Sequence, residues 1–208
     1  MKTIIYVDGF NLYYGAVKGT PYKWLNIMTL CKLLLPKNQI TQIKYFTAPV
    51  TARPNDPDQP NRQQLLFRAL QTIPELEIIY GHFLSHEIMM PLADPVPGQP
   101  KYARVIKTEE KGSDVNIAAH MVNDGHKGRY QVAILVSNDS DLVEPVKIVR
   151  NELKLPVGVL NPFINTASYD LRKHATFVKP IRVGALSASQ FPTTLKDING
   201  TFFKPPAL

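Results

Sequence analysis

The chain has 208 residues, 44% of them hydrophobic and 20% charged, which supplies one domain with a buried core and excludes a disordered chain. Lys and Arg number 24 against 17 Asp and Glu, a formal charge of +7 that suits polyanionic partners such as nucleic acid. The apolar part of the opening MKTIIYVDGF is too short for a signal peptide, no later stretch approaches the roughly 18 apolar residues of a membrane span, and the lone Cys31 has no intramolecular partner for a disulfide, so a cytoplasmic protein with no membrane partner is expected.

Residues 3–7 (TIIYV) form a β-branched run that stops at Asp8-Gly9, as a buried strand entering a loop does. Apolar residues from Leu25 to Leu35 recur at helical spacing and Pro36 closes them. Residues 43–50 (IKYFTAPV) predict a second strand, and the Pro- and Asp-rich 51–60 a loop. A helix is predicted from Asn61 through Gln71, with Leu65, Leu66 and Leu70 on one face and Arg62 and Arg68 free to point elsewhere. Leu76 to Leu84 predicts a further strand, 91–100 with its four prolines an exposed excursion, and YARVIKT a return as extended chain.

The second half is more regular. Asp114 to Asn123 has a helical pattern that Gly125 is expected to end. VAILVS (132–137) is a continuous apolar run of the kind found in sheets covered on both faces. Leu142 to Leu153 predicts an amphipathic helix that tolerates Pro145 in its first turn. PVGVLNP gives another strand, Ser168 to Lys173 a short helix and Thr176 to Val178 a last extended piece. Strands alternating with helices predict an α/β fold, a three-layer α/β/α sandwich on a mostly parallel sheet occupying residues 1–179. From Pro180 to Leu208 the composition turns to Gly, Ser, Pro and Thr, which predicts a loosely ordered tail packed on the surface or on a second copy in a homo-oligomer.

In parallel sheets ligands gather at the carboxyl ends of the strands, and the acids fall there. Asp8 follows the first strand, Asp139 and Asp141 follow the strongest one in the string SNDSD, and Asp114 opens a helix after EEKGS. A helix start belongs at that same edge when the strand before it is parallel to the others. Hard oxygen ligands of this kind suit Mg²⁺ or Mn²⁺, and no His or Cys cluster has zinc spacing. Each acid also has a structural reading: Asp8-Gly9 as a strand-ending turn, and Asp114, Ser140 and Asp141 as helix N-caps. Capping does not explain acids repeated at strand carboxyl ends. Asn11 stands three residues beyond Asp8, placed to orient a ligand or phosphate or to cap a helix, and Ser137 and Asn138 are placed to donate to a phosphate or to close a turn. Phe10, Tyr13 and Tyr14 have helical spacing and read as core. Basic side chains that would line a phosphate path are Lys107, Lys111, Arg62, Arg68, Arg172 and Lys173, each of which also reads as solvated surface.

IYVDGFNLYYG, KGSDVNIAAHMV and VAILVSNDSDLVEPVKIVRNE, in that order over roughly residues 3 to 160, together resemble the NYN domain, the LabA-like group of PIN-like nucleases. The resemblance implies a PIN-like α/β/α fold, an acidic Mg²⁺ or Mn²⁺ site and ribonuclease activity on single-stranded RNA. Residue by residue it places the family's acids on Asp8, Asp114, Asp139 and Asp141 and its asparagine on Asn11, with Asp8, Asp114 and Asp139 binding metal. Where family members commonly carry Gly between the Ser and the first Asp of the last motif, this chain has Asn138, which is expected to adopt the left-handed backbone that Gly would. Two other readings are a nucleic-acid-binding regulatory module without catalysis and an oxidoreductase component acting on a pyridine-type ring. The second calls for a flavin or nicotinamide, for which the sequence has no glycine-rich fingerprint.

Overall fold

The computed structural model describes residues 1–52, 55–96, 98, 100–164 and 166–206. Parts of the predicted proline-rich loop (53 and 54), of the excursion (97 and 99) and of the tail (207 and 208) therefore lie outside the described residues, as does 165.

Six strands form one parallel sheet: β1 (Lys2–Asp8), β2 (Gln39–Thr47), β3 (Leu76–Tyr80), β6 (Val132–Val136), β7 (Val157–Asn161) and β8 (Phe177–Pro180), in the order β3-β2-β1-β6-β7-β8. β6 and β7 are buried throughout, as continuous apolar runs covered on both faces must be. Because side chains alternate along a strand, the sheet separates two cores. Ile5, Val7, Ile43, Ile134 and Val136 face one, with α1 (Gly9–Leu12), α2 (Ile27–Leu34) and α3 (Gln59–Leu70). Ile4, Tyr6, Phe46, Leu135 and Val159 face the other, with α4 (Ser113–His126), α5 (Val143–Lys147) and α6 (Tyr169–His174). The fold is the predicted three-layer sandwich. From β1 the chain winds outward through β2 and β3, and from β6 it winds the opposite way through β7 and β8. The β1/β6 boundary is thus the topological switch point, where a crevice opens at the carboxyl ends.

The predicted strand 76–84 breaks at Gly81. β3 ends at Tyr80, and β4 (His82–Pro91) leaves the sheet to pair antiparallel with β5 (Tyr102–Lys111) in a two-stranded ribbon, the predicted excursion lying at its turn. A Cβ at Gly81 would lie 2.5 Å from Glu110 Oε1 and 2.6 Å from the Lys111 carbonyl, so the ribbon's base closes only over a glycine. Gly125 does not end α4. It lies buried inside the helix where Tyr130 and Leu153 press on it, and the left-handed turn comes at Gly128, with φ of 63°. The single predicted helix 142–153 is α5 between a 3₁₀ turn (Ser140–Leu142) and a π turn (Ile148–Glu152).

The segment after residue 180 carries structure of its own: α7 (Val183–Ser187) and a hairpin of β9 (Thr194–Asp197) and β10 (Gly200–Phe203). Ile181, Leu186, Phe191 and Phe202 are buried in the first core. Trp24, fully buried, donates its indole N–H to the Pro192 carbonyl at 2.9 Å.

Candidate metal centre

Asp8 is the last residue of β1, beside the switch point, and only 5% exposed. Its carboxylate caps α1, Oδ1 accepting the Asn11 N–H at 2.9 Å, while Oδ2 accepts the Ser137 hydroxyl at 3.0 Å. Ser137 Oγ in turn accepts the Asp139 N–H at 3.1 Å, and Asp139 Oδ1 accepts the Asp141 N–H at 3.0 Å. Asn11 Oδ1 accepts the Asn138 N–H at 2.8 Å, so the loops after β1 and β6 are sewn together. Capping and clustering coexist here, although the capping acids are Asp8 and Asp139 rather than Asp114 and Asp141.

Asp114 arrives by a different route from the one the sequence suggests, because the strand before α4 is not in the parallel sheet. β4 departs from the carboxyl edge after β3, and the antiparallel pairing of His82 with Lys111 returns the chain to the same edge. Gly112, with φ of 102°, turns it into α4, and Glu110 Oε1 accepts the Ser113 hydroxyl at 2.8 Å. One carboxylate oxygen each from Asp8, Asp114 and Asp139 then lies within 4.8 Å of the others. Oxygens on opposite sides of one cation, at about 2.1–2.5 Å each, are about 4.2–5 Å apart, so the three fit a single hard divalent ion. Asp141 is exposed at the rim.

The electrostatics agree. Burial raises the Asp8 pKa to about 6 against the hydrogen bonds from Asn11 and Ser137, and the charges of Asp114 and Asp139 add to the rise. Burial likewise raises Asp114, helped by Asp139, Glu110 and Asp141. A group of carboxylates that would rather keep protons is one that a cation stabilises.

The other predicted residues divide. Ser137 is fully buried and shapes the site from beneath. Asn138 does not take the expected left-handed backbone, since Lys154 is the only non-glycine residue with positive φ among those described. Its side chain bridges instead, donating to the Thr166 carbonyl at 3.1 Å and accepting the Ser168 N–H at 2.7 Å. Arg62 pairs with Asp56 at 2.5 Å. Arg68 grips the tail, with its guanidinium on Asp197 at 2.6 and 2.7 Å and stacked on Phe202. Lys107 and Lys111 both pair with Glu109, on the ribbon face opposite to Glu110 and Phe83, and Phe83 packs edge-on against Phe10. Arg172 and Lys173 lie exposed in the last turn of α6.

Two features escaped the sequence reading. Glu110 is a fifth acid beside Asp114, and its signal was the EE pair before the KGSD turn. The second is a cavity of about 180 Å³ between α1, β2 and α3, lined by Phe10, Tyr13 and Tyr14, of which Tyr13 also packs against the first core as expected and Tyr14 is exposed. No sequence signal marks it, because its walls come from four separate segments.

The NYN domain family model matches residues 2–181. A curated relative, 6-hydroxy-3-succinoylpyridine 3-monooxygenase HspA of Pseudomonas putida, is 31% identical over 225 aligned residues, covering 94% of this chain and 72% of that protein. The crystal structure of VPA0982, a protein of unknown function from Vibrio parahaemolyticus, matches with a TM-score of 0.53 at 17% identity, covering 91% of this chain and 96% of that one. At that identity the likeness bears on the fold alone. Among the described residues no helix is long and apolar enough to cross a membrane.

Proposed function

The chain belongs to the NYN domain family, whose fold is of the nuclease type, and on that premise we propose that it is a divalent-metal-dependent nuclease hydrolysing phosphodiester bonds in single-stranded RNA. The observation that carries this reading is the convergence of Asp8, Asp114 and Asp139 within 4.8 Å at the switch point of a parallel sheet.

Asp8, Asp114 and Asp139 would hold Mg²⁺ or Mn²⁺, with Asp141 as a further acid at the rim. When bound, the ion supplies positive charge to the phosphate and leaving oxygen and acidifies water at neutral pH. The chain's own residues supply the frame. Asn11 and Ser137 fix Asp8 in one rotamer, so the carboxylates need no reorganisation as charge develops on the phosphate. Asp141, exposed beside Asp139, is placed to take a proton from an approaching water. Asn138 holds the 166–168 loop beside the cluster, where Arg172 and Lys173 follow on α6 as a basic rim. Arg62, held by Asp56, and Lys23 border the cavity that opens beside Gly9 and Phe10, at the edge of the strand's path. Lys107 and Lys111 would meet RNA only from the far face of the ribbon, and Arg68 is engaged by the tail.

The test is cleavage of labelled single-stranded RNA and DNA with Mg²⁺, Mn²⁺ or EDTA, by the parent and by Asp8→Asn and Asp139→Asn. The expected result is cation-dependent cleavage of RNA that falls at least a hundredfold in both variants, the order of loss when a charge-stabilising group is removed from a site. Parent-rate cleavage by either variant in saturating Mn²⁺ would sink the assignment, and RNA binding without cleavage would make the protein a regulatory module.

A second reading has its own support. The relative from Pseudomonas putida bears the name of a monooxygenase acting on a pyridine, and the cavity beside Asp8 is lined by aromatic rings. On this reading the protein is an oxidoreductase component for a pyridine-type aromatic. Consumption of a hydroxypyridine together with NADH and oxygen, absent in the Asp8→Asn variant, is its expected signature.

A further inference from the structure

The cavity opens beside Gly9 and Phe10, the two residues that follow Asp8. It holds about 180 Å³, well below the roughly 300–1,000 Å³ of sites for drug-sized ligands, so it has room for one ring system. Tyr13 and Tyr14 stand edge to face at one side, with ring centroids 5.2 Å apart, and Tyr14 keeps 54% of its surface exposed.

Two hydroxyls belong to its wall. Tyr45 is 7% exposed and Thr47 3%, both line the cavity from the end of β2, and neither hydroxyl has a hydrogen-bond partner among the described residues. The Tyr45 phenol and the Thr47 hydroxyl can each donate or accept. A pair of hydroxyls free of protein partners on a cavity wall suits a ligand with donors and acceptors on its edge. Gln59, whose carboxamide also has no partner among the described residues, adds one donor and one acceptor at the mouth.

We infer that this cavity seats one unpaired nucleobase of the RNA strand whose phosphate lies on the acid cluster, an assignment that rests on the nuclease reading. The ring packs against Tyr13 and Tyr14, its edge meets Tyr45, Thr47 and Gln59, and Arg62 and Lys23 border the strand as it leaves. Stacking on aromatics tolerates any base, while the hydroxyls and the amide read its edge. The base therefore sets which phosphate reaches Asp8, and the cut falls at a fixed step from it.

The test uses a labelled single-stranded RNA and a series in which one nucleotide at a time is abasic. Cleavage is followed in Mn²⁺, and binding without divalent ions. In the parent, loss of the base at one position beside the cut is expected to raise KM and the dissociation constant about tenfold, the size of one base-aromatic stack. In a Tyr13→Ala, Tyr14→Ala variant, which removes the stacking rings, intact RNA should bind about as weakly as abasic RNA binds the parent, with little further loss when the base is removed, whereas Tyr45→Phe, Thr47→Val should keep the stack and lose only the preference among bases. Cleavage indifferent to every abasic position, or a base effect undiminished in the Tyr13→Ala, Tyr14→Ala variant, overturns the pocket and leaves the nuclease reading standing. No cleavage, with base-dependent binding intact, overturns the nuclease reading and leaves the pocket. A pyridine carboxylate that binds here and that RNA does not displace overturns the nucleobase assignment.

Discussion

Helix α4 carries a carboxylate near each end, and the two ends treat it in opposite ways. Near its start Asp114 faces Asp8, Asp139 and Glu110, and its pKa is raised. Near its end Asp124 is fully buried, yet Lys44 Nζ donates to it at 2.5 Å, the Tyr6 hydroxyl at 2.9 Å and Arg129 at 2.9 Å. Burial alone would raise the Asp124 pKa, but the hydrogen bonds from Lys44 and Tyr6 outweigh it and hold the group below the usual carboxylate range. The helix dipole favours the reverse pattern, an anion at the start and a cation at the end, and is worth only about 0.3–1 kcal/mol. Neighbouring charges decide the outcome at both ends. The lesson is that a buried acid supplied with partners is part of the frame, whereas buried acids aimed at one another store an affinity for a cation.

The largest effect should come from the satisfied end. Asp124→Asn leaves the 2%-exposed Lys44 without a counterion, and urea denaturation at pH 7 should show a loss of about 3–5 kcal/mol. His120, whose pKa burial and Lys44 both lower, accepts from Lys44 as a neutral ring and does not replace the missing charge. A loss under about 1 kcal/mol would mean that the two ends differ less than their contacts say.

At the other end a cation should stabilise. Mn²⁺ at a hundredfold above its dissociation constant is expected to add about 2.7 kcal/mol at pH 7.5, read as a rise in Tm, and to add almost nothing in Asp8→Asn. An equal rise in parent and variant would place the ion elsewhere.

The sign of the pH dependence separates the ends further. In EDTA the folded chain holds a proton on Asp8 up to about pH 6, above the ordinary carboxylate value near 3.9, so it binds more protons than the unfolded chain between those values. The contribution of Asp8 is fully present below about pH 4 and is lost as the pH rises through 6. Asp8→Asn should therefore be more stable than the parent by about 1–3 kcal/mol at pH 8 and no more stable at pH 4. Denaturation curves at the two pH values check this, and a variant less stable than the parent at pH 8 would contradict it.

The smallest effect belongs to a neutral residue. Asn138→Gly restores the residue more common in the family's motif and removes two hydrogen bonds, for a loss of about 1 kcal/mol. If that loss is absent, the bridge to residues 166–168 does not hold the loop.

Much of this could be read from the chain, and the misses have physical causes. Asp8, Asp114 and Asp139 were legible because each follows or opens a strongly patterned element, and a parallel sheet brings strand ends to one edge. Glu110 was missed because an acid before a turn reads as solvated surface until the ribbon folds back. Arg68 looked free because its partner Asp197 lies 129 residues away. Tyr13 and Tyr14 have core spacing, and only the gap between α1, β2 and α3 turns them into the wall of a cavity.

By itself the sequence determined the α/β alternation, the parallel sheet, the family and three of the acids, because hydrophobic periodicity and short motifs are local properties that survive without knowledge of packing. Tertiary structure alone decided that strand 76–84 splits into a sheet strand and a ribbon, that the tail docks on Trp24, and that Tyr45 and Thr47 of β2 line a cavity. Those outcomes depend on which distant surfaces meet, and contacts between segments a hundred residues apart leave no periodic trace in either one.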